Sequence, residues 1–427
     1  MPGFAGFQDS LWTKTAISAP EYRTLEGTAD YDVVIVGAGF TGLSTALALA
    51  EKGSRVAVID SHEPGWGASG RNGGQIIPGL KWDPDQLVEK LGEHQGRKVF
   101  EFAKSSSNKA IDIIKRHELD CDLHDQGWLQ AVHNVSAHES ALKRAEQWRE
   151  HGIDVKELSE AEAARSIGSD YYKSAFLYPN AGTIQPLSFA RELARTIIEK
   201  GGHVYENAPA KDISKRQGRW QVTTDTGILK ADKVVVATNG YSDDLIPDLR
   251  KSIVDLTSFI VATKPLSAEA QRTIFPGRQG CSDTRRVLTY MRMDDEGRLL
   301  LGGRGSYADP DSAASFRDVE HKLDRIFPQL KGTEWESRWF GRFAVTPDFL
   351  PHLHEPQPGL MCMLGYSGRG VAMGTAIGQP LAQYLIDGNQ EGLPLPITTQ
   401  KAIPFYSMRR LGIVAMTNWY RLLDLWG

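Results

Sequence analysis

The chain lacks what would make it a disulfide scaffold, a nucleic-acid binder or a membrane span. Its 427 residues include three cysteines, Cys121, Cys281 and Cys362, far apart and odd in number. That spacing excludes a disulfide framework and offers no Cys-x-x-Cys metal site, so no metal is expected and a reducing compartment fits. Long lysine and arginine runs are missing and the formal net charge is -4. Such a balance provides no field to recruit nucleic acid, and no nucleic-acid partner is expected. No segment reaches the roughly 18 uninterrupted apolar residues of a spanning helix, and the first thirty residues contain no apolar signal core. The expectation is a cytoplasmic protein. Internal repeats and low-complexity segments are also absent. What is there, 41% hydrophobic and 24% charged residues, is an ordinary globular composition long enough for two or three domains.

The strongest positive signal comes early. YDVVIVGAGFTGLSTALALAEKGSRVAVID reads as a buried strand over 33–36, a glycine turn, a helix over 41–52 and a second strand ending in Asp60. Gly37, Gly39 and Gly42 fit G-x-G-x-x-G: the first makes the tight turn, the second admits a pyrophosphate, the third lets helix and strand pack. Free amides at the helix start face the phosphates, and Asp60 is placed to accept from an adenosine ribose. The unit predicts dinucleotide binding.

The continuation separates two kinds of dinucleotide. A nicotinamide enzyme would usually go on alternating strands and helices, whereas this chain enters WGASGRNGGQ, residues 66–75, with four glycines in ten positions. Glycine clusters are tolerated where backbone turns sharply or lies against something large and flat. Nucleotide-type segments return only at 186–240, ending in KVVVATNG, and at 360–386, where a strand leads through Gly365, Gly368 and Gly370 into a helix. Three separated glycine-rich strand ends imply a discontinuous domain around one long ligand, which suits FAD.

VVIVGAGFTGLSTALALAEKG, GWGASGRNGGQ, YMRMDDEGRLLLGGR, FPQLKG and GYSGRGV together resemble the FAD-dependent oxidoreductases of the D-amino-acid oxidase, glycine oxidase and sarcosine oxidase superfamily, over nearly the whole chain. Within it they look most like the gamma-glutamylputrescine oxidoreductase-like bacterial amine oxidases. The resemblance implies an α/β fold, α+β overall, in which a discontinuous Rossmann-like FAD-binding domain (28–85, 180–250 and 335–395) carries an antiparallel-sheet substrate domain (86–179 and 251–334), with an amphipathic tail over 396–427.

Spacing and resemblance together place the cofactor against Gly37, Gly39, Phe40, Thr41 and Gly42; Asp60 and Ser61; Gly67, Ala68, Ser69, Arg71, Asn72, Gly73, Gly74 and Gln75; Ala210, Thr238, Asn239 and Gly240; and Gly341, Gly368, Arg369, Gly370 and Val371. Ser69, Arg71, Asn72 and Gly73 would follow the pyrophosphate, ribityl chain and ring edge, with Gln75 emerging near the reactive face. Gly370 and Val371 would present amides to the pyrimidine edge, lined by 366–369. Substrate-pocket candidates are Gln75, Tyr290, Arg292, Phe343, Tyr366 and Arg369. Strand alternation puts Tyr290 and Arg292 on one face, where Arg292 either pairs an anionic group or sits at a solvated sheet edge.

Departures from the relatives shape the rest. Gly341 stands where sarcosine oxidases attach FAD through cysteine, so noncovalent FAD is expected. Phe343 replaces an arginine that holds the substrate carboxylate in glycine oxidase, and Ala372 replaces a lysine of sarcosine oxidases. Both missing cations argue against a short α-amino acid held in the usual way. Trp339 would add an apolar wall, and His352 and His354 fall in a turn. The expected reaction is oxidation of an amine CH–NH bond by hydride transfer to flavin N5, on a gamma-glutamylputrescine-type conjugate. Alternatives are an L-pipecolate- or proline-like secondary amino acid, with oxygen or quinone as acceptor, and a non-catalytic flavin-binding subunit. From residue 404 a helix carries Arg410, Thr417, Arg421 and Asp424 on one stripe and Ile413, Met416, Trp419, Tyr420, Leu423 and Trp426 elsewhere, so it either packs on protein or makes peripheral membrane contact.

Overall fold

The computed structural model describes residues 6–305 and 308–426, with the side chains of Arg421, Leu422, Leu425 and Trp426 outside the described set. Two large sheets organise it. In the first, strands run in the order Ile397–Thr398, His352–Gln357, Leu360–Leu364, Gly227–Val236, Gly27–Val36, Val56–Ile59 and His203–Tyr205, with a meander of Asp212–Arg216 and Arg219–Thr223 beside Gly227–Val236. The central pairings are parallel: Val36 lies opposite both Ile59 and Val236, and Val236 opposite Cys362. Parallel register carries Gly37, Asp60, Ala237 and the residues after Leu364 to one edge of the sheet. From Gly27–Val36 the chain builds outward through Val56–Ile59 to His203–Tyr205, then crosses back to place Gly227–Val236 on the other side of Gly27–Val36, and such a switch point opens a crevice at the strand C-termini.

The helix after the glycine turn spans Phe40–Glu51 and is buried over nearly its full length. Gly37 takes φ +109°, and a Cβ at Gly42 would lie 2.0 Å from the Gly37 carbonyl oxygen, so helix and turn touch backbone to backbone. On the other side, Pro186–Glu199 and the helices Gly370–Ala376 and Gly378–Asp387 complete a core containing Leu43, Leu47, Phe189, Leu193, Met373 and Leu381.

The second sheet has eight strands in the order Trp335–Val345, Val254–Thr263, Leu299–Arg304, Thr289–Met293, Gly280–Asp283, Trp128–Val132, Ser174–Tyr178 and Lys156–Leu158. Its two faces differ. Phe259, Val261, Met291, Met293, Leu299, Leu301, Leu129 and Ala175 form one core with the helices Glu160–Ile167 and Arg317–Ile326. Cross-strand register places the alternate residues, Trp339, Ser258, Gly302, Tyr290, Ser282, Gln130 and Phe176, on the opposite face toward the first sheet.

Two boundaries read from the sequence move. Residues 335–345 pair along Val254–Thr263 and so belong to the second sheet rather than the nucleotide half. Ile397–Thr398 pairs with Leu353–His354, which brings the start of the tail into the first sheet. His352 and His354 stand in a strand, not a turn: His354 is buried with its Nδ1 bonded to the Thr398 carbonyl at 2.9 Å, and His352 contacts Asp348.

The C-terminal helix, Arg409–Trp426, sits on the body in an unexpected orientation. Thr417 and Asp424 of its polar stripe face inward, and Asp424 accepts from the amides of Arg286 and Val287 at 2.9 and 3.0 Å. Leu411, Val414, Met416 and Trp419 are left exposed. Arg421 and Trp426 carry side chains outside the described set.

Candidate active site

The floor of the site is backbone. Ser69 Oγ accepts from the Phe40 amide at 2.9 Å, so the stretch 66–75 caps the first turn of the glycine-motif helix. No hydrogen-bond acceptor for the Thr41 or Gly42 amide is found among the described residues, which leaves two oriented donors of the kind that bind phosphate. Asp60 Oδ2 accepts from the Ala38 amide at 2.8 Å and Oδ1 from the His62 amide at 2.9 Å. Burial raises this carboxyl to about 6 against the lowering effect of those amides. Its remaining lone pairs suit ribose hydroxyls, so the residues present fit an adenosine diphosphate moiety. Asn239, at φ 44°, accepts from the Gly365 amide at 2.9 Å and ties two glycine-rich strand ends together. Gly240 sits against the Phe343–Ala344 backbone, Gly67 against the Tyr241 ring, and Thr238 bonds Ser242. Ala210 packs beside the first-sheet core, and Ser61 is exposed and bonds His62.

The loop 66–75 spends most of its side chains on protein. Asn72 donates to the Ala68 and Ser69 carbonyls at 3.1 and 2.7 Å and accepts from the Gly74 amide at 2.8 Å. Gln75 donates to the carbonyls of Cys281 and Met291 at 3.2 and 3.0 Å and accepts from Ser282. Gln75 is therefore a tie between floor and roof rather than a free substrate ligand. Arg71 is buried, gives Nε–H to the Trp66 carbonyl at 2.7 Å and stacks on the Trp66 ring, with its centre 4.3 Å away. Burial lowers its pKa, and among the described residues no carboxylate pairs with it. Gly341 faces Arg71: a Cβ there would lie 3.1 Å from that of Arg71.

The roof presses directly on this floor. The Tyr290 ring lies over Gly302 and against Gly73, where a Cβ would come within 2.6 Å of the ring, and its hydroxyl bonds Ser258 Oγ at 2.8 Å. Arg292 lies on the same face as expected, but it is fully buried rather than at a solvated edge. Its Nη1 donates to the Gly74 and Ile184 carbonyls, and Asp294, Asp295 and Asp122 surround it with negative charge. That guanidinium holds the loop in place and is not free for substrate. Trp339 donates Nε1–H to the Arg71 carbonyl at 2.9 Å and meets Trp12 edge-on at 5.8 Å. Phe343 is half-buried on the same face. Tyr366 turns away into the core, its hydroxyl bonded to that of Thr41 at 2.5 Å. Arg369 reaches up to the roof and sits 5.5 Å over the Trp128 ring. Gly368, Gly370 and Val371 flank it on the floor, and Ala372 is fully buried.

Sequence reasoning missed three contributors. Trp12, in the short helix Leu11–Thr15, donates to the Asn72 carbonyl at 2.8 Å and so buttresses the loop from the chain's first segment; the Ser10 cap before it was the available signal. Trp128 and Tyr178 face the site from strands that carried no motif.

Residues 32–384 match the family described as FAD dependent oxidoreductase. The chain belongs to that family. It is 32% identical to gamma-glutamylputrescine oxidoreductase of Escherichia coli, over 95% of this chain and 99% of that one. It is 29% identical to a probable oxidoreductase of Rhizobium meliloti, over 99% and 98%. The fold is that of glycine oxidase from Geobacillus kaustophilus, with TM-score 0.71 at 21% identity over 84% of this chain and 95% of that one. This FAD-dependent oxidoreductase is thus an enzyme of the amine and amino-acid oxidase type. Among the described residues no helix is long and apolar enough to cross a membrane, and no cluster of metal ligands occurs.

Proposed function

We propose that the enzyme oxidises the CH–NH bond of an amine conjugate of the gamma-glutamylputrescine kind, with noncovalently held FAD. The carrying observation is the roof: its facing positions include Tyr290, Trp339, Trp128, Phe343 and Ser258, and the facing Arg292 is already bonded to the Gly74 and Ile184 carbonyls. Bound FAD supplies the hydride acceptor. An amine needs to be neutral for its lone pair to assist, and an aromatic, poorly hydrated pocket disfavours the ammonium form. The remaining work is orientation, which Tyr290, clamped through Ser258 and Gly302, is built to provide. Gly341 in place of a cysteine supports noncovalent attachment, as do the three thiols: all are buried, and burial pushes that of Cys362 up to about 12.

The test is anaerobic bleaching of the flavin absorbance by gamma-glutamylputrescine and by L-pipecolate, added separately. Bleaching by the conjugate supports the proposal; bleaching by pipecolate alone replaces it with a secondary amino acid.

A second reading concerns the electron acceptor. The outward apolar face of the C-terminal helix, Leu411, Val414 and Trp419, lies beside exposed Arg410, a pattern that suits a membrane interface and delivery of electrons to quinone. Lipid flotation of the full chain against a chain ending at residue 403 tests it, and equal flotation rejects it.

A further inference from the structure

We propose that Arg369 and Tyr178 form the receptor for a carboxylate carried by the substrate, at the far side of the pocket from Tyr290. The inference rests on the reading that the substrate is a carboxylate-bearing amine. It starts from a contrast between two guanidinium groups, that of Arg292 fully buried and that of Arg369 half-buried. Arg292 donates Nη1 to two carbonyls and is ringed by aspartates, so its charge is already answered, although its buried Nε has no partner among the described residues. Arg369 has no hydrogen-bond acceptor or carboxylate partner among the described residues. Its charged neighbour is another cation, Arg144, which is itself saturated by Asp83 and the Leu80 and Lys81 carbonyls.

Two buried polar atoms on the roof strands beside Trp128 are unsatisfied. Tyr178 packs its ring 5.2 Å from that of Trp128, and its buried hydroxyl has no partner. Gln130 follows Trp128 on the same strand face, and its buried Oε1 is likewise unpartnered. Burying a hydroxyl without a partner is costly, and a half-buried guanidinium with no protein acceptor among the described residues is available to an anion. A carboxylate repairs the deficit: it accepts only, takes the guanidinium fork with two oxygens, and has lone pairs left for the Tyr178 hydroxyl. The Trp128 ring below Arg369 holds the fork flat by cation–π contact. Arg369 enters from the floor segment 366–371 and Trp128 from the roof, so a carboxylate bound there lies between the two sheets.

The probe is N-butyl-γ-glutamamide, which has the γ-glutamyl head but no terminal amine to oxidise, titrated calorimetrically into the FAD-loaded enzyme. Its decarboxylated counterpart serves as the control. The wild type is expected to prefer the carboxylated probe, with Arg369→Gln lowering affinity about 10- to 100-fold and Arg369→Lys retaining part of it. Tyr178→Phe is expected to cost about 3- to 10-fold. Equal binding of both probes by the wild type, or unchanged affinity in Arg369→Gln, overturns the assignment. If Arg369→Gln loses its flavin, the two-probe comparison on wild type and Tyr178→Phe decides. Flavin bleaching by gamma-glutamylputrescine is read separately. Arg369-dependent probe binding without bleaching keeps the receptor and removes the substrate, whereas bleaching with an unchanged KM in Arg369→Gln keeps the substrate and removes the receptor.

Discussion

The floor and the roof of the site solve one problem by different means. The floor, 37–42, 66–75 and 365–371, is built from glycines and main-chain amides whose positions follow from short local motifs. The roof is built from side chains of a mixed sheet, antiparallel except where Gly280–Asp283 meets Trp128–Val132, and each matters because of what stands opposite it. The floor therefore tolerates no added atom at Gly42, Gly70 or Gly74, where a Cβ would meet backbone, while the roof tolerates changes of side chain but not loss of a tie. The two meet at Gln75 and Arg292, whose hydrogen bonds run from one to the other.

This contrast can be broken or sharpened by experiment. Gly42→Val drives a side chain into the Gly37 carbonyl, so loss of bound flavin and of about 3 kcal/mol or more of stability is expected, read by flavin content and urea unfolding. Arg292→Leu removes the roof's grip on the Gly74 and Ile184 carbonyls and should cost about 2–4 kcal/mol. Tm and KM measured together would show whether that loss is chiefly structural; a change in KM alone would return Arg292 to the substrate pocket.

The third prediction concerns pH. Asp60 is raised in the folded protein to about 6 by burial, above its ordinary value, so the native state holds a proton more tightly than the unfolded chain. Its contribution is thus fully present below the unfolded pKa and is lost as pH rises from about 4 to 6. Flavin-stripped wild type should lose stability across that window, and Asp60→Asn should flatten the curve, both read as Tm against pH. A smaller effect is expected for Tyr366→Phe: removing one hydroxyl from the pair with Thr41 should cost about 1 kcal/mol and leave flavin bound. Last, acid precipitation should release all the flavin into the supernatant, as Gly341 leaves no thiol at the position used for attachment in relatives; retention in the pellet rejects noncovalent binding.

Much of the floor was legible in advance. The spacing of Gly37, Gly39 and Gly42, the strand at 360–364 and the hairpin around Asp294 appear where the pattern put them, because turn geometry and period-2 alternation are local. The roles of roof residues were less legible. Alternation placed Tyr290 and Arg292 on one face, but only the neighbouring strands decide that one meets Gly73 and the other two carbonyls. The C-terminal helix shows the same limit: its amphipathic pattern was plain, yet Thr417 and Asp424 of its polar stripe turned inward, where Asp424 accepts from two backbone amides.

By itself the amino-acid sequence determined the dinucleotide fold and the glycine-rich turns at its strand ends, since glycine spacing and strand periodicity are constraints within a few residues. Tertiary structure alone decided which arginine meets backbone carbonyls and which has no acceptor among the described residues. Burial and the supply of acceptors depend on residues more than a hundred positions away, and no local pattern encodes that Arg292 meets the carbonyl of Ile184 while Arg369 meets the ring of Trp128.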